Sequence, residues 1–204
     1  LANGQIDPAY PLKRGERVRV RLINAANARV FTLGLQGFDG WVVALDGMPL
    51  NDPQALPEEL VLAPAQRVDL IVDVTTDDEE AFLITFERDG GYAIAHFPVS
   101  GPSKAARSEK VILPPNPDFP IDLANARTAT LLIEGGAMGG MRAARLDGQE
   151  LGARELAGRG LFWALNGVAG RPETPLLDLS LGESARIGMA NNTAFPHGMH
   201  LHGM

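Results

Sequence analysis

Apolar and polar residues alternate along most of this chain with the period of two that is typical of β-strands. In residues 17–22, arginine alternates with valine and leucine, which predicts a strand with a solvated face formed by Arg17, Arg19 and Arg21. Six further strands are predicted at residues 30–35, 41–45, 59–62, 67–74, 81–86 and 92–99. Many short strands separated by turns indicate an all-β fold, a β-sandwich with Greek-key connections.

Signals for turns and helices complete this pattern. The dipeptides Asp39-Gly40 and Asp46-Gly47 are typical of turns. Short helices are predicted at residues 104–110 and 153–157. Trp163 stands among apolar neighbours, so we expect it in a core.

The chain contains an internal repeat. A shift of 167 residues superposes Gly15 on Gly182, Arg19 on Arg186 and Asn24 on Asn191. After Asn24 the first copy continues for about 75 residues before a proline-rich stretch, whereas 13 residues follow Asn191. The repeat therefore predicts one nearly complete sandwich domain and a truncated second one.

Prolines concentrate between residues 98 and 120, where they interrupt both helix and strand. We therefore divide the chain into a first domain at residues 1–100, a stiff connector at 101–120 and a second domain at 121–204. In the second domain, strands are expected near residues 128–134 and 184–191. Because edges of an unfinished sheet recruit other strands, we expect both to pair with another chain, with the preceding domain or with residues beyond this sequence.

Composition narrows the class of partner. The formal net charge is -7, with acidic and basic residues mixed, which argues against nucleic acid as a partner. No apolar run approaches the 18 or so residues of a membrane span. There is no cysteine, so disulfides play no part in the fold.

Three of the four histidines, His197, His200 and His202, lie close together near the last residue of the sequence. Imidazole is the commonest side-chain metal ligand. In an extended segment His200 and His202 point the same way, about 6 to 7 Å apart, and each can bind one of two neighbouring metal ions. His197 projects to the opposite side and would serve a different centre.

A glycine-rich segment at residues 135–141 carries Met138 and Met141. Thioethers suit Cu(I), so these methionines are a possible weak copper site. The favoured interpretation is a glycine hairpin in which the two methionines fill gaps. His96 stands alone and is assigned no role.

The motif from His197 to Gly203, preceded by residues 191–196, resembles the first copper-ligand motif in the last cupredoxin domain of multicopper oxidases, the laccase-like enzymes. The resemblance covers nearly the whole chain. The segments similar to bacterial three-domain members are residues 18–27, 42–50 and 62–73 for their middle domain, and 162–179 for the entry to their third domain.

The resemblance implies a cupredoxin-like Greek-key sandwich and copper as cofactor. By it, His197 would ligate the type 1 copper, His200 the type 2 copper and His202 one of the type 3 pair. It also implies a copper-free middle domain at residues 1–100 and a periplasmic or secreted location.

The chain departs from the family in its ligands. A blue-copper site needs two histidines and a cysteine thiolate, and this chain has no cysteine. The family's His-Cys-His segment and the two His-x-His motifs of its first domain are also absent. We therefore expect a fragment whose partners are the missing domains of the same oxidase or another copy of the chain.

Three functions remain open. The first is a fragment of an oxidase that takes electrons singly from phenols or metal ions and reduces dioxygen to water, with the isolated chain itself inactive. The second is a non-catalytic copper-binding protein. The third is a structural cupredoxin module, as the first copy indicates, because Val30, Leu33 and Leu35 stand where His197, His200 and His202 would align.

Overall fold

The structure, a computed structural model, describes residues 1–117, 120–199 and 201. These residues form two compact units: residues 1–117 with 198, 199 and 201 make the first, and residues 120–197 make the second. The chain is nearly all-β, with 48% strand and 3% helix, so the predicted fold class is confirmed. No helix in the described part is long and apolar enough to cross a membrane.

The first unit folds as two sheets. Its strands are β1 (Leu12–Lys13), β2 (Arg17–Ile23), β3 (Phe31–Gln36), β4 (Phe38–Leu45), β5 (Met48–Ala55), β6 (Leu60–Leu62), β7 (Arg67–Val74), β8 (Glu80–Glu87) and β9 (Gly90–Ser100). One sheet has the order β1-β9-β8-β3-β6 and the other β2-β7-β4-β5. The seven strands predicted in this region are all present. The alternation does not predict β1 or β5.

Strand β7 supplies the centre of the first unit's core. Val68, Leu70, Val72 and Val74 alternate along it, and all four are buried. They pack in one apolar cluster with residues of the opposite sheet, including Leu83 of β8. Burial of each such side chain contributes about 1.5–3 kcal/mol. This alternation is therefore what holds the two sheets face to face.

The two aspartate-glycine pairs of β4 have different roles. Asp39-Gly40 lies inside β4, so the predicted turn is wrong there. A Cβ at Gly40 would lie 2.2 Å from the carbonyl oxygen of Ile71, which shows that this glycine permits close approach to β7. Asp46-Gly47 does form the predicted turn, with φ values of 50° and 85° that suit a tight hairpin.

The outer face of β7 carries two buried carboxylates, Asp69 and Asp73. Antiparallel pairing places Arg17 of β2 opposite Asp73 and Arg21 opposite Asp69. The Arg17 guanidinium donates to both oxygens of Asp73, at 2.8 and 2.9 Å, and Arg19 and Arg21 contact Asp69. The predicted solvated face is therefore wrong for Arg17, whose side chain is 20% exposed.

Residues 104–110, predicted as a helix, form no helix. Arg107 donates its backbone N–H to Asp73 Oδ2 at 2.7 Å and its guanidinium to Asp73 Oδ1 at 2.6 Å. The guanidinium also donates to the carbonyl oxygen of Gly15 at 3.0 Å. Because a side-chain carboxylate binds this backbone donor, the segment follows the sheet instead of bonding to itself. We call residues 104–110 the strap.

The charge of Asp73 is stabilised despite its burial. Burial by itself raises the pKa of Asp73, but hydrogen bonds from Arg17 and Arg107 outweigh that effect, so the net pKa lies below the ordinary carboxyl value. The hydrogen bond to Asp73 in turn raises the pKa of Arg17. Asp73 therefore joins β7, β2 and the strap as an ionised group.

The described residues of the second unit form a single six-stranded sheet with one short helix. Its elements are β10 (Arg127–Gly135), β11 (Ala143–Leu146), β12 (Gln149–Gly152), α1 (Ala153–Gly158), β13 (Trp163–Leu165), β14 (Val168–Ala169) and β15 (Ala185–Thr193). The strand order is β12-β11-β14-β13-β10-β15. The helix predicted at residues 153–157 is confirmed as α1, with Leu156 fully buried.

Strands β10 and β15 are parallel partners along their whole length, from Arg127 opposite Ala185 to Gly135 opposite Thr193. The expectation of a partner outside this domain is therefore wrong for β10, whose two edges pair with β15 and β13. For β15 it stays a prediction, because β15 is the last strand in the order of the sheet. On its second edge β10 pairs with β13, which places Trp163 opposite Gly135. The pairing thus brings Gly135, Trp163 and Thr193 to one end of the sheet.

The Asp73 interaction predicts a large stability effect. Asparagine keeps the shape of the side chain but removes the charge to which both Arg17 and Arg107 donate. Removing one partner of a buried ion pair costs about 3–5 kcal/mol, so we expect Asp73→Asn to lower the free energy of unfolding of the first unit by about 3 kcal/mol at pH 7. The measurement is urea unfolding followed by Trp41 fluorescence in a Trp163→Phe background.

Asp52→Asn is the matched control, because Asp52 pairs with Lys110 while its side chain is 84% exposed. Such exposed pairs contribute about 0–1 kcal/mol. Because the folded pKa of Asp73 is lowered, its contribution is fully present above the unfolded carboxyl pKa of about 3.9 and is lost as pH falls through the folded value. Equal effects of the two substitutions at pH 7 would contradict the assignment.

Candidate metal-binding site

One of the three predicted metal ligands lies within the described residues. His197 follows β15 and its side chain is half-buried. His200 and His202 lie outside the described residues. The geometry of the candidate site can therefore be described only around His197.

A hydrogen-bonded turn overlaps the end of β15 and determines where His197 lies. The Asn191 side chain accepts at Oδ1 from the Thr193 backbone N–H, at 3.1 Å, and donates from Nδ2 to the Phe195 carbonyl oxygen, at 2.8 Å. The Phe195 backbone N–H donates to Thr193 Oγ1 at 3.2 Å. Asparagine favours such turns because its short amide replaces backbone partners. We call residues 191–197 the histidine turn.

Two contacts hold the His197 ring. Its Nε2 lies 2.9 Å from Thr193 Oγ1, within hydrogen-bond distance. The Trp163 indole meets it at 90°, with 5.2 Å between ring centroids, and Phe195 meets the same indole at 6.0 Å. Edge-to-face contacts of this kind contribute about 0.5–1.5 kcal/mol beyond area burial. The imidazole is therefore fixed in both position and orientation.

Trp163 is a site residue that sequence reasoning missed. It was expected in a core, but it is 41% exposed and lies at the sheet end beside His197, so that expectation is wrong. The apolar neighbours in the sequence do not reveal this, because Trp163 meets His197 only through the β10–β13 and β10–β15 pairings. Its alternation on β13 with the buried Ala164 is the one available signal.

The glycine-rich segment at residues 135–141 packs against the Trp163 indole through Gly136. The Gly136 backbone N–H donates to the Phe162 carbonyl oxygen at 2.7 Å. A Cβ at Gly136 would lie 2.5 Å from the Trp163 ring, and its φ of 84° also favours glycine. Met138 of the same segment is 73% exposed. The segment therefore contributes to the site through its glycine backbone.

The available donors limit the chemistry of this site. Among the described residues there is no group of three or more histidine, cysteine, aspartate or glutamate side chains that could hold a metal ion. Within the described part of the chain, the His197 ring has its polar contact at Nε2, and the role of Nδ1 depends on which ring nitrogen carries the hydrogen. His197 therefore fits a copper site as one nitrogen ligand, and further ligands must come from elsewhere.

The internal repeat includes the hydrogen bonds of the asparagine side chain. Asn24, the counterpart of Asn191, accepts from the Ala26 backbone N–H at 2.9 Å and donates to the Arg29 carbonyl oxygen at 2.8 Å. The first copy thus contains a similar asparagine turn, in which the amide donates to a carbonyl oxygen five residues on instead of four. Ala26 stands where the second copy has Thr193, and Val30 stands where it has His197.

Comparisons with known proteins match the chain to multicopper oxidases and to a cell division protein. Residues 3–101 match the family model described as "Multicopper oxidase". The chain is 27% identical over its whole length to multicopper oxidase MmcO of Mycobacterium tuberculosis, of which it covers 38%. Over 39% of its length it is 41% identical to cell division protein FtsP of Yersinia pestis, of which it covers 16%.

Solved structures of multicopper oxidases match as well. The chain superposes on Lac15 from a marine microbial metagenome with a TM-score of 0.67 and 37% identity, covering 96% of this chain and 42% of that one. A multicopper oxidase from Pseudomonas parafulva gives a TM-score of 0.59 at 26% identity, covering 93% and 41%. The cupredoxin-like fold is thereby confirmed. The chain spans about two fifths of the length of these relatives.

The support beneath Trp163 predicts a local effect on His197. In Gly136→Ala the new methyl group would displace the indole, and the left-handed backbone would be strained. We expect a loss of about 1–2 kcal/mol in the free energy of unfolding of the second unit. The ring-current shift that Trp163 imposes on the His197 ring protons, measured by NMR, should also shrink.

Gly140→Ala is the control in the same segment, because a Cβ there meets nothing within 4 Å. It should leave both the stability and the His197 shifts near those of the wild type. Unchanged His197 shifts in Gly136→Ala would contradict the packing of Gly136 under the indole.

Proposed function

From the chain's relationship to the multicopper oxidases, which the comparisons establish, we propose that it is part of a laccase-like oxidase. The full-length protein would oxidise phenols or metal ions one electron at a time and reduce dioxygen to water. Copper is the cofactor that the family implies for that protein. The match of residues 3–101 to the family supports this proposal most directly.

His197, His200 and His202 are the proposed copper ligands. We assign His197 to the type 1 copper, His200 to the type 2 copper and His202 to the type 3 pair. The contact of His197 Nε2 with Thr193 Oγ1, at 2.9 Å, supports a fixed ring at this position, and the choice of the type 1 copper for it rests on the motif. The assignments of His200 and His202 rest on the motif alone.

Bound copper would supply the one-electron redox chemistry. The part played by this chain is to hold and orient the ligands. His197 is braced by Thr193 on one side and by the edge-to-face contact with Trp163 on another. His202 follows His197 by five positions, so one short segment would connect the two kinds of centre.

The remaining ligands are proposed to come from other domains of the same oxidase or from another copy of the chain. Residues 1–100 would be the copper-free middle domain, 101–120 the connector and 121–204 the first part of the last domain. The division of the described residues supports a boundary between residues 117 and 120, although it groups residues 198, 199 and 201 with the first unit. We place the protein in the periplasm or outside the cell, as the resemblance implies. The comparisons do not favour a non-catalytic copper carrier or a structural module.

The ligand assignments predict separable losses in the full-length protein. His197→Ala should bleach the blue absorption and remove one copper, since it removes a ligand of the type 1 centre alone. His202→Ala should deplete type 3 copper and stop oxygen uptake while the blue absorption remains. Copper content, visible absorption and oxygen consumption are measured for both variants.

His96→Ala is the control, because His96 contacts Asp7 at 2.5 Å in the first unit and is assigned no copper. The 204-residue chain on its own should not oxidise phenols, since it lacks a cysteine. Full blue absorption in His197→Ala, or sustained phenol oxidation by the isolated chain, would refute the proposal.

A further inference from the structure

Thr193 Oγ1 is the meeting point of four polar groups. It lies 2.7 Å from Asn191 Oδ1, 2.9 Å from His197 Nε2, 3.1 Å from the Phe195 carbonyl oxygen and 3.2 Å from the Phe195 backbone nitrogen. A hydroxyl group has one hydrogen to donate and two lone pairs that accept. The roles of the four neighbours therefore constrain one another.

The orientation of the Asn191 amide is fixed independently. The atom that faces Thr193 receives the Thr193 backbone N–H, so it must be the oxygen. The other end of the amide donates to the Phe195 carbonyl oxygen and must be the nitrogen. A flipped amide would place donor against donor and oxygen against oxygen.

The single Thr193 hydrogen therefore goes to an oxygen. Asn191 Oδ1 at 2.7 Å is the nearer acceptor, and the Phe195 carbonyl oxygen at 3.1 Å already accepts from Asn191 Nδ2. Asn191 Oδ1 can only accept, and at 2.7 Å an oxygen contact without a hydrogen between the atoms would be repulsive. The Phe195 N–H uses one lone pair of the Thr193 oxygen. What remains for His197 is the second lone pair, so its Nε2 must carry a hydrogen and donate it.

A neutral imidazole with its hydrogen on Nε2 has its lone pair on Nδ1. Metal-binding histidines are commonly fixed in this way by a hydrogen bond to the other ring nitrogen. We propose that Thr193 is a positioning residue that sets the tautomer of His197 and makes Nδ1 its metal-binding atom. This inference rests on the proposed role of His197 as a copper ligand.

The first copy of the repeat supports the inference independently. Its asparagine turn is intact without a hydroxyl, because Ala26 occupies the position of Thr193 and Asn24 still bonds the Ala26 N–H at 2.9 Å. Thr193 is therefore not needed to form the turn. The hydroxyl is present in the copy that has His197 and absent from the copy that has Val30.

The direct test is the tautomer of His197 in the metal-free chain, read from the ¹⁵N shifts of the imidazole ring. The chain has four histidines, so His197→Gln identifies the signals, and the spectra are recorded at a pH where those signals show a neutral ring. We expect the wild type to show a protonated Nε2 and an unprotonated Nδ1. A proton on Nδ1 would overturn the proposal without any variant.

Two variants distinguish a role of Thr193 in positioning the His197 ring from a purely structural role. Thr193→Val removes the hydroxyl at nearly constant shape, and Thr193→Ser restores it. We expect Thr193→Val to shift the ring signals toward a mixture of tautomers and to weaken type 1 copper binding in the full-length protein by about 10- to 100-fold, with Thr193→Ser near the wild type. Wild-type ring signals and copper affinity in Thr193→Val would overturn the proposal.

The outcome also distinguishes this inference from the proposed function. If His197→Gln left the type 1 copper fully bound, the role of His197 as a ligand would be wrong, and the inference that depends on it would fall too. If His197→Gln removed that copper while Thr193→Val changed nothing, the function would stand and the role of Thr193 would be refuted.

Discussion

The asparagine turn at the end of a strand is the constraint on which both units rely. Asn24 follows β2 and Asn191 lies near the end of β15, and each amide bonds a backbone N–H two residues on and a carbonyl oxygen further along. The turn determines the direction in which the chain leaves its sheet. In the first unit it leads to the apolar Val30, and in the second it leads to His197. The same kind of side-chain-to-backbone hydrogen bond thus precedes an apolar residue in one copy and the proposed copper ligand in the other.

The sequence predicted strands well where one face is buried, because burial imposes the period of two. Strand β5 was missed because Pro49 and Pro53 interrupt its alternating pattern. These prolines are tolerated because β5 lies at the edge of its sheet. The strap at residues 104–110 was predicted as a helix because its composition does not show that Asp73, far away in the sequence, binds the Arg107 backbone. Long-range partners of this kind have no local signal.

The residues of the candidate site also fall into those with a local sequence signal and those without one. The histidine motif predicts His197 as a ligand directly, because ligand spacing is local. Trp163 and Gly136 were not identified, since they reach His197 through strand pairing. The chain supplies an oriented nitrogen donor and no thiolate, so the chemistry proposed for the full-length oxidase depends on residues outside this sequence. The first unit has an apolar core and a strap bound to the buried Asp73, features that suit the copper-free role proposed for it.

The position of copper relative to the His197 ring tests the central claim most directly. Anomalous diffraction at the copper edge, from crystals of the copper-loaded full-length protein, locates the metal without reference to activity. The account predicts a copper peak bonded to Nδ1 of His197, with Nε2 still in hydrogen-bond contact with Thr193 Oγ1. A peak on Nε2, or a fully loaded protein with no copper at His197, would contradict it.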